Sequence, residues 1–201
     1  MDNGTLSRRS LLQAIAATMA SAALPFGWAE IAQAVDDGHV EAVQGGGSTI
    51  SLLTAAEAAD IEAIASQIIP SDDSPGAREA GVVYFIDRAL ATFFSQLAGD
   101  YRAQLAAFQQ GVRERHPNGS FASLTSDQQI EYLKDVDQTP FFAMTRVLTL
   151  LGMFTLPAYG GNRNGVGWYL IGFKDAHVFE PPFGYYDRDY PGFAIDPVNR
   201  K

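Results

Sequence analysis

The side chains best suited to chemistry in this sequence are two acidic clusters, Asp72-Asp73 and Asp187-Arg188-Asp189, and three histidines, His39, His116 and His177. Neighbouring carboxylates work as general acid and base when a dry cleft and a specific partner shift their pKa values. Both clusters lie in turn-like, proline-flanked stretches, where capping and solvated charge account for them. The histidines are far apart, and none stands in the HExxH or ExxH spacing that sets two ligands on one helix face. The chain has no cysteine, so it offers no thiolate metal site, iron–sulfur ligation, covalent haem attachment or cysteine nucleophile. No serine occupies G-x-S-x-G. Gly165-x-Gly167 has Leu170 where a dinucleotide fingerprint needs its third glycine, and no Gly-Lys-Ser/Thr forms a phosphate loop. No catalytic, cofactor-binding or metal-binding residue is expected in this chain.

What these residues sit on follows from composition and periodicity. At 201 residues, 47% hydrophobic and 18% charged, the chain suits one domain with a real core. Its net charge of −9 repels phosphate, which argues against nucleic acid or anionic lipid as a partner. A signal peptide is expected over residues 1–34, a flexible linker over 35–53 and a single helical domain over 54–201.

Within that domain, Thr54-Ala55-Ala56-Glu57 has the form of a capping box, and Ile61, Ile64, Ala65 and Ile68 form one stripe up to Pro70. Ser74 and Pro75 are read as the cap and first position of a helix from about Ala77 to Leu97, with the next starting near Asp100. Thr125-Ser126-Asp127-Gln128 repeats the capping-box pattern. Thr139-Pro140 opens a final helix, Phe141 to about Phe154, whose only charge is Arg146. A helix apolar nearly all round belongs at the centre of a bundle. Strand-like alternation is nowhere sustained. The fold class is therefore mainly α, a bundle of about five helices followed by a glycine-rich loop and an extended aromatic and proline-rich C-terminal arm from about residue 176.

Ser7-Arg8-Arg9-Ser10-Leu11-Leu12 precedes an uncharged, alanine-rich stretch to Leu24. As a helix this stretch is roughly 21 Å long, against a hydrocarbon core of roughly 30 Å. Pro25 breaks it, and Ala32-Gln33-Ala34 offers a small-x-small cleavage site. Arg8, Arg9, Leu11 and Leu12 thus read as a twin-arginine export signal, with Leu11 in place of the usual phenylalanine and Gln13 in place of lysine. That route carries folded cargo to the periplasm.

Two segments ask for a partner or a groove. Tyr159-Gly160-Gly161-Asn162 and Gly165 through Trp168 are either a surface loop packing Trp168 onto the bundle, or a recognition loop whose glycines let another chain approach closely. Beyond His177, Phe179, Phe183, Tyr185, Tyr186, Tyr190 and Phe193 alternate with Pro181, Pro182, Pro191 and Pro197. Proline excludes a helix there, and so many rings must dock, on this bundle or on another protein. Tyrosine-rich, proline-stiffened arms favour the second.

In order along the chain, Ile68-Ile69-Pro70, Asp73 to Ala77, Ala80-Gly81-Val82, Phe85-Ile86-Asp87, Leu124-Thr125, Tyr159 to Asn162, Gly165 to Trp168 and Ile171-Gly172 resemble subunit 3 of gluconate 2-dehydrogenase-type enzymes, over about residues 54–186. The resemblance implies a non-catalytic small subunit of a membrane-associated sugar or sugar-acid dehydrogenase. Its partners would be a large FAD-dependent subunit and a multihaem cytochrome c. The small subunit would stabilise the flavoprotein and escort it through twin-arginine export, with membrane association only through the complex. Partner contacts are expected at Tyr159, Gly160, Gly161, Asn162, Gly165, Trp168, Phe183, Tyr185 and Tyr186. Two rivals are a stand-alone periplasmic binding protein using the glycine–tryptophan loop for a small ligand, and a hydrolase using Asp72 and Asp73.

Overall fold

The computed structural model describes residues 49–175, which form six α-helices and no strand. Helix α1 (Ala55–Ile68) starts as its sequence dictates: Thr54 Oγ1 accepts from the Glu57 N–H at 3.2 Å, and Glu57 Oε2 accepts from the Thr54 N–H at 2.7 Å. Helices α2 (Val82–Ala91) and α3 (Ser95–Arg115) follow, then α4 (Ser126–Val136) behind the Thr125–Gln128 capping box. Helix α5 (Pro140–Phe154) begins with Thr139 as cap and proline at its first turn. It packs against α1, α2 and α3, with Leu148, Thr145 and Thr149 fully buried and Arg146 on the exposed side. Helix α6 (Val166–Leu170) is short and is reached through 3₁₀ turns at Pro157–Tyr159 and Arg163–Gly165.

Aromatic rings knit the far side of the core. Phe108 of α3 lies 5.1 Å from Phe121, 5.2 Å from Tyr132 of α4 and 5.1 Å from Phe141 of α5. Its neighbour Tyr101 is buried with its hydroxyl 3.0 Å from Thr145 Oγ1, and burial pushes that phenol's pKa up, so it stays protonated for hydrogen bonding. Phe121 sits in a 3₁₀ turn (Phe121–Ser123) held to α1 by Asp60, whose buried carboxylate accepts from the Ala122 N–H and from Gln109 Nε2 of α3.

Three boundaries differ from the periodicity reading. The helix expected from Ala77 starts only at Val82, because Gly81 adopts a left-handed conformation (φ 68°). Ser74 caps no helix there; its N–H and hydroxyl instead donate to Asp72 Oδ1, closing a local turn. The same helix ends at Ala91, where Thr92 Oγ1 donates to the Arg88 carbonyl and the Phe94 N–H reaches back to Ala89. That break lets Phe94 be fully buried while its ring packs 4.9 Å from Phe93, and α3 then begins earlier than the Asp100 start read from the sequence. The third difference concerns residues assigned to the linker. The Ser51, Leu52 and Leu53 N–H groups and the Ser51 hydroxyl all donate to the carboxylate of Asp87, at 2.7–2.9 Å, and Leu53 is buried. The packed chain therefore already includes residues 51–53. The predicted signal residues Arg8, Arg9, Leu11 and Leu12, and the arm from residue 176, lie outside the described residues.

The α1 start also carries a pH signature. Burial raises the Glu57 carboxyl, but the Arg102 guanidinium, bonded to both its oxygens, and the Thr54 donors outweigh that and hold it below its ordinary 4.5. A lowered carboxylate stabilises the fold fully above its unfolded value and loses that contribution as pH falls through the folded one. Thermal melts between pH 6 and pH 3 should therefore show the gap between wild type and Glu57→Gln closing below about pH 4.5. A gap that stays constant would mean Glu57 is not held in its charged form.

Candidate partner-docking segment

The glycine-rich segment after α5 is built around carbonyls that the end of that helix leaves without intrahelical partners. The Asn162 N–H donates to the Gly152 carbonyl at 2.8 Å, Asn162 Nδ2 to Thr155 O at 2.8 Å, and Trp168 Nε1 to Phe154 O at 2.9 Å. Asn162 Oδ1 in turn accepts from the Gly167 N–H at 2.8 Å. A single asparagine, fully buried and in the left-handed region (φ 44°), thus ties the end of α5 to the start of α6. Asparagine suits the position because its short amide tolerates that backbone and supplies both a donor and an acceptor.

Helix α2 holds the other side. The Arg163 N–H donates to the Ala80 carbonyl, and the Arg163 guanidinium lies 3.9 Å from the centre of the Tyr84 ring, a cation–π contact across the face of Gly81. Arg88 Nη1 donates to the Ala158 carbonyl at 2.9 Å. Tyr159 is buried and meets Phe93 edge-on with ring centres 6.3 Å apart.

The structure brings Tyr159, Gly160, Gly161, Asn162, Gly165 and Trp168 into this one knot. Tyr159, Gly161 and Asn162 face inward, and the close approach the glycines permit is to the chain's own backbone: a Cβ on Gly161 would run into the Gly152 carbonyl, and one on Gly167 into the Met153 carbonyl. What the knot presents outward is different. Tyr169 is 84% exposed and Ile171 59%, with Leu170 and Leu156 also exposed. Tyr169, Leu170 and Ile171 are not among the contacts expected from the sequence, although they form a plain apolar run. Phe183, Tyr185 and Tyr186 lie outside the described residues.

Among the described residues, Asp72 and Asp73 form no second site. Asp72 and Asp73 are exposed; the Ser74 N–H and hydroxyl hold the Asp72 carboxyl below its ordinary value, as in a turn. Among the described residues no group of three or more His, Asp or Glu is placed to hold a metal, and no helix is long and apolar enough to cross a membrane. Asp187 and Asp189 are outside the described residues.

Compared with known proteins, the chain matches the model of one family, described as gluconate 2-dehydrogenase subunit 3, over residues 55–175. No curated protein and no solved structure matches it.

Proposed function

Because the chain belongs to the gluconate 2-dehydrogenase subunit 3 family, we propose that it is the non-catalytic small subunit of a membrane-associated, FAD-dependent sugar or sugar-acid dehydrogenase. The observation that carries this reading is the extent of the match: residues 55–175 take in all six helices and the Asn162 knot between α5 and α6. Subunit-3 identity implies association with a larger catalytic subunit. Flavin, and haem c in a cytochrome partner, belong to those other chains.

The exposed Tyr169, Leu170 and Ile171 support the reading physically. Tyrosine and branched apolar side chains left in water on a rigid turn are the material from which interface cores are made. The knot fixes the backbone beneath them, so little ordering entropy is lost on docking. In this proposal Gly160, Gly161, Asn162 and Gly165 set the shape of the docking surface from within, Trp168 braces it, and Phe183, Tyr185 and Tyr186 add contacts from the arm.

The export role is the second half of the proposal. Twin arginines at Arg8 and Arg9 would send this chain, already folded and carrying its partner, to the periplasm, where the complex meets the membrane. Fractionation of the native host should find the Arg8→Lys, Arg9→Lys double variant, together with the dehydrogenase activity of its partner, inside the cell. Periplasmic activity undiminished in that variant would refute the escort role.

A further inference from the structure

A second surface lies away from the α6 turn. A groove of about 350 Å³ runs between the end of α1, α4 and the start of α5. Its floor is apolar, formed by Ile68, Leu133 and Phe142, with Ile130 39% exposed at its edge. Two cations stand on its rim, Lys134 and Arg146. On each of the two helices an apolar residue is followed one turn later by the cation: Ile130 then Lys134 on α4, Phe142 then Arg146 on α5. Residues four apart share a helix face, so apolar floor and charged rim form one continuous surface.

These cations are unusual in this chain. Among the described residues, Arg78, Arg102 and Arg115 each pair with a carboxylate, Arg88 and Arg113 each donate to an oxygen, and Arg163 lies on Tyr84. Lys134 and Arg146 have no such partner, and share that only with Lys174 near the end of the described residues, although the whole chain carries a net charge of −9. Asp137 also borders the groove, with an oxygen accepting from Gln138 Nε2. Two exposed cations left free beside the exposed Ile130 and the half-buried Ile68 and Phe142, on an otherwise acidic protein, complement a surface of opposite charge with its own apolar anchors. An anionic bilayer is a poor candidate for so acidic a chain, and two copies of it would repel each other.

We infer that this groove receives an acidic, apolar-faced segment of the large catalytic subunit, its apolar side chains entering between Ile130 and Phe142 and its carboxylates meeting Lys134 and Arg146. The inference rests on the accessory-subunit reading and adds to it a second contact, of stated chemistry. Helix-in-groove recognition uses this combination of anchors and flanking charge, and rim charges act mainly on association rate and salt dependence.

The test uses the complex captured from the native host. Lys134→Glu with Arg146→Glu should weaken association of the purified subunits about tenfold at low salt, the difference narrowing above about 0.5 M as the charges are screened. The milder Lys134→Gln, Arg146→Gln pair should fall between, and helical circular dichroism unchanged in both would exclude misfolding. A photo-crosslinking residue in place of Ile130 should label an Asp- or Glu-rich stretch of the large subunit. Unchanged affinity in the charge-reversed, folded variant would overturn the inference, as would crosslinks landing on this chain's own residues 176–201. A wild-type chain that captures no large subunit would overturn the accessory reading along with it; capture with an indifferent groove would overturn the groove alone.

Discussion

Alanine at Gly167 is expected to cost this protein about 3 kcal/mol, and about 10 °C in melting temperature. The added methyl would fall on the Met153 carbonyl, which is backbone at the end of α5 and has no rotamer by which to move aside. It would also crowd Asn162 Oδ1 at 3.1 Å, the acceptor of the Gly167 N–H itself. Relief therefore requires α6 to lift away from α5, which strands the buried Asn162 amide and loosens the Trp168 bond to Phe154. An unsatisfied buried amide adds roughly 1–3 kcal/mol to such a displacement. Gly99→Ala is the matched control, since a Cβ there has nothing within 4 Å. Differential scanning calorimetry of the two variants decides the matter, and equal melting temperatures would mean that the knot does not hold α6 to α5.

The second large effect is expected at Asp87. Its carboxylate is 1% exposed and accepts from three consecutive backbone N–H groups and the Ser51 hydroxyl. Charge-assisted bonds of this kind are about twice as strong as neutral ones. Asp87→Ala removes every acceptor at once, but residues 51–53 can then swing into water and be solvated. The loss is thereby capped near the value of docking that segment and burying Leu53, about 2–4 kcal/mol. Asp87→Asn keeps one oxygen and turns an amide donor toward the same N–H groups, so it should fall between alanine and wild type. Urea denaturation gives the free energies. Hydrogen exchange gives the mechanism: fast exchange at Ser51, Leu52 and Leu53 in the alanine variant is the expected result, and unchanged protection there would contradict the clip.

Neither of these positions announces itself in the sequence, and the reason is sequence separation. The features legible from residue types alone are those completed within one turn of chain. Thr54 with Glu57, Thr125 with Gln128, and Thr139 ahead of Pro140 all cap helices as read, because cap and donor are three residues apart. The all-apolar character of α5 also gave its central place, since such a helix has no polar face to offer water. Asp87 meets its donors 34 to 36 residues away, and the Gly152 and Met153 carbonyls are approached only once α5 and α6 have packed. The break between α2 and α3 escaped for a related reason. Phe93 and Phe94 fit a continuing helix by periodicity, but the chain bends at Thr92, which buries Phe94 and sets the half-buried Phe93 against Phe85 and Tyr159. For the glycine-rich segment, residue type pointed to close backbone approach, while the identity of the approaching backbone depended on tertiary structure. The ordered run of motifs from Ile68 to Gly172 nonetheless carried the family resemblance, which the match over residues 55–175 bears out.

Placing the chain in a dehydrogenase complex makes one physical demand: it must be found bound to a larger, flavin-bearing protein. The direct measurement is gentle-detergent affinity capture of this chain from its native host, tagged at the C-terminus and, separately, at an internal site just after residue 34, with the eluate read by mass spectrometry and by flavin absorbance. The account predicts a stoichiometric large subunit carrying flavin with at least one tag position. A lone, flavin-free chain with both would contradict it.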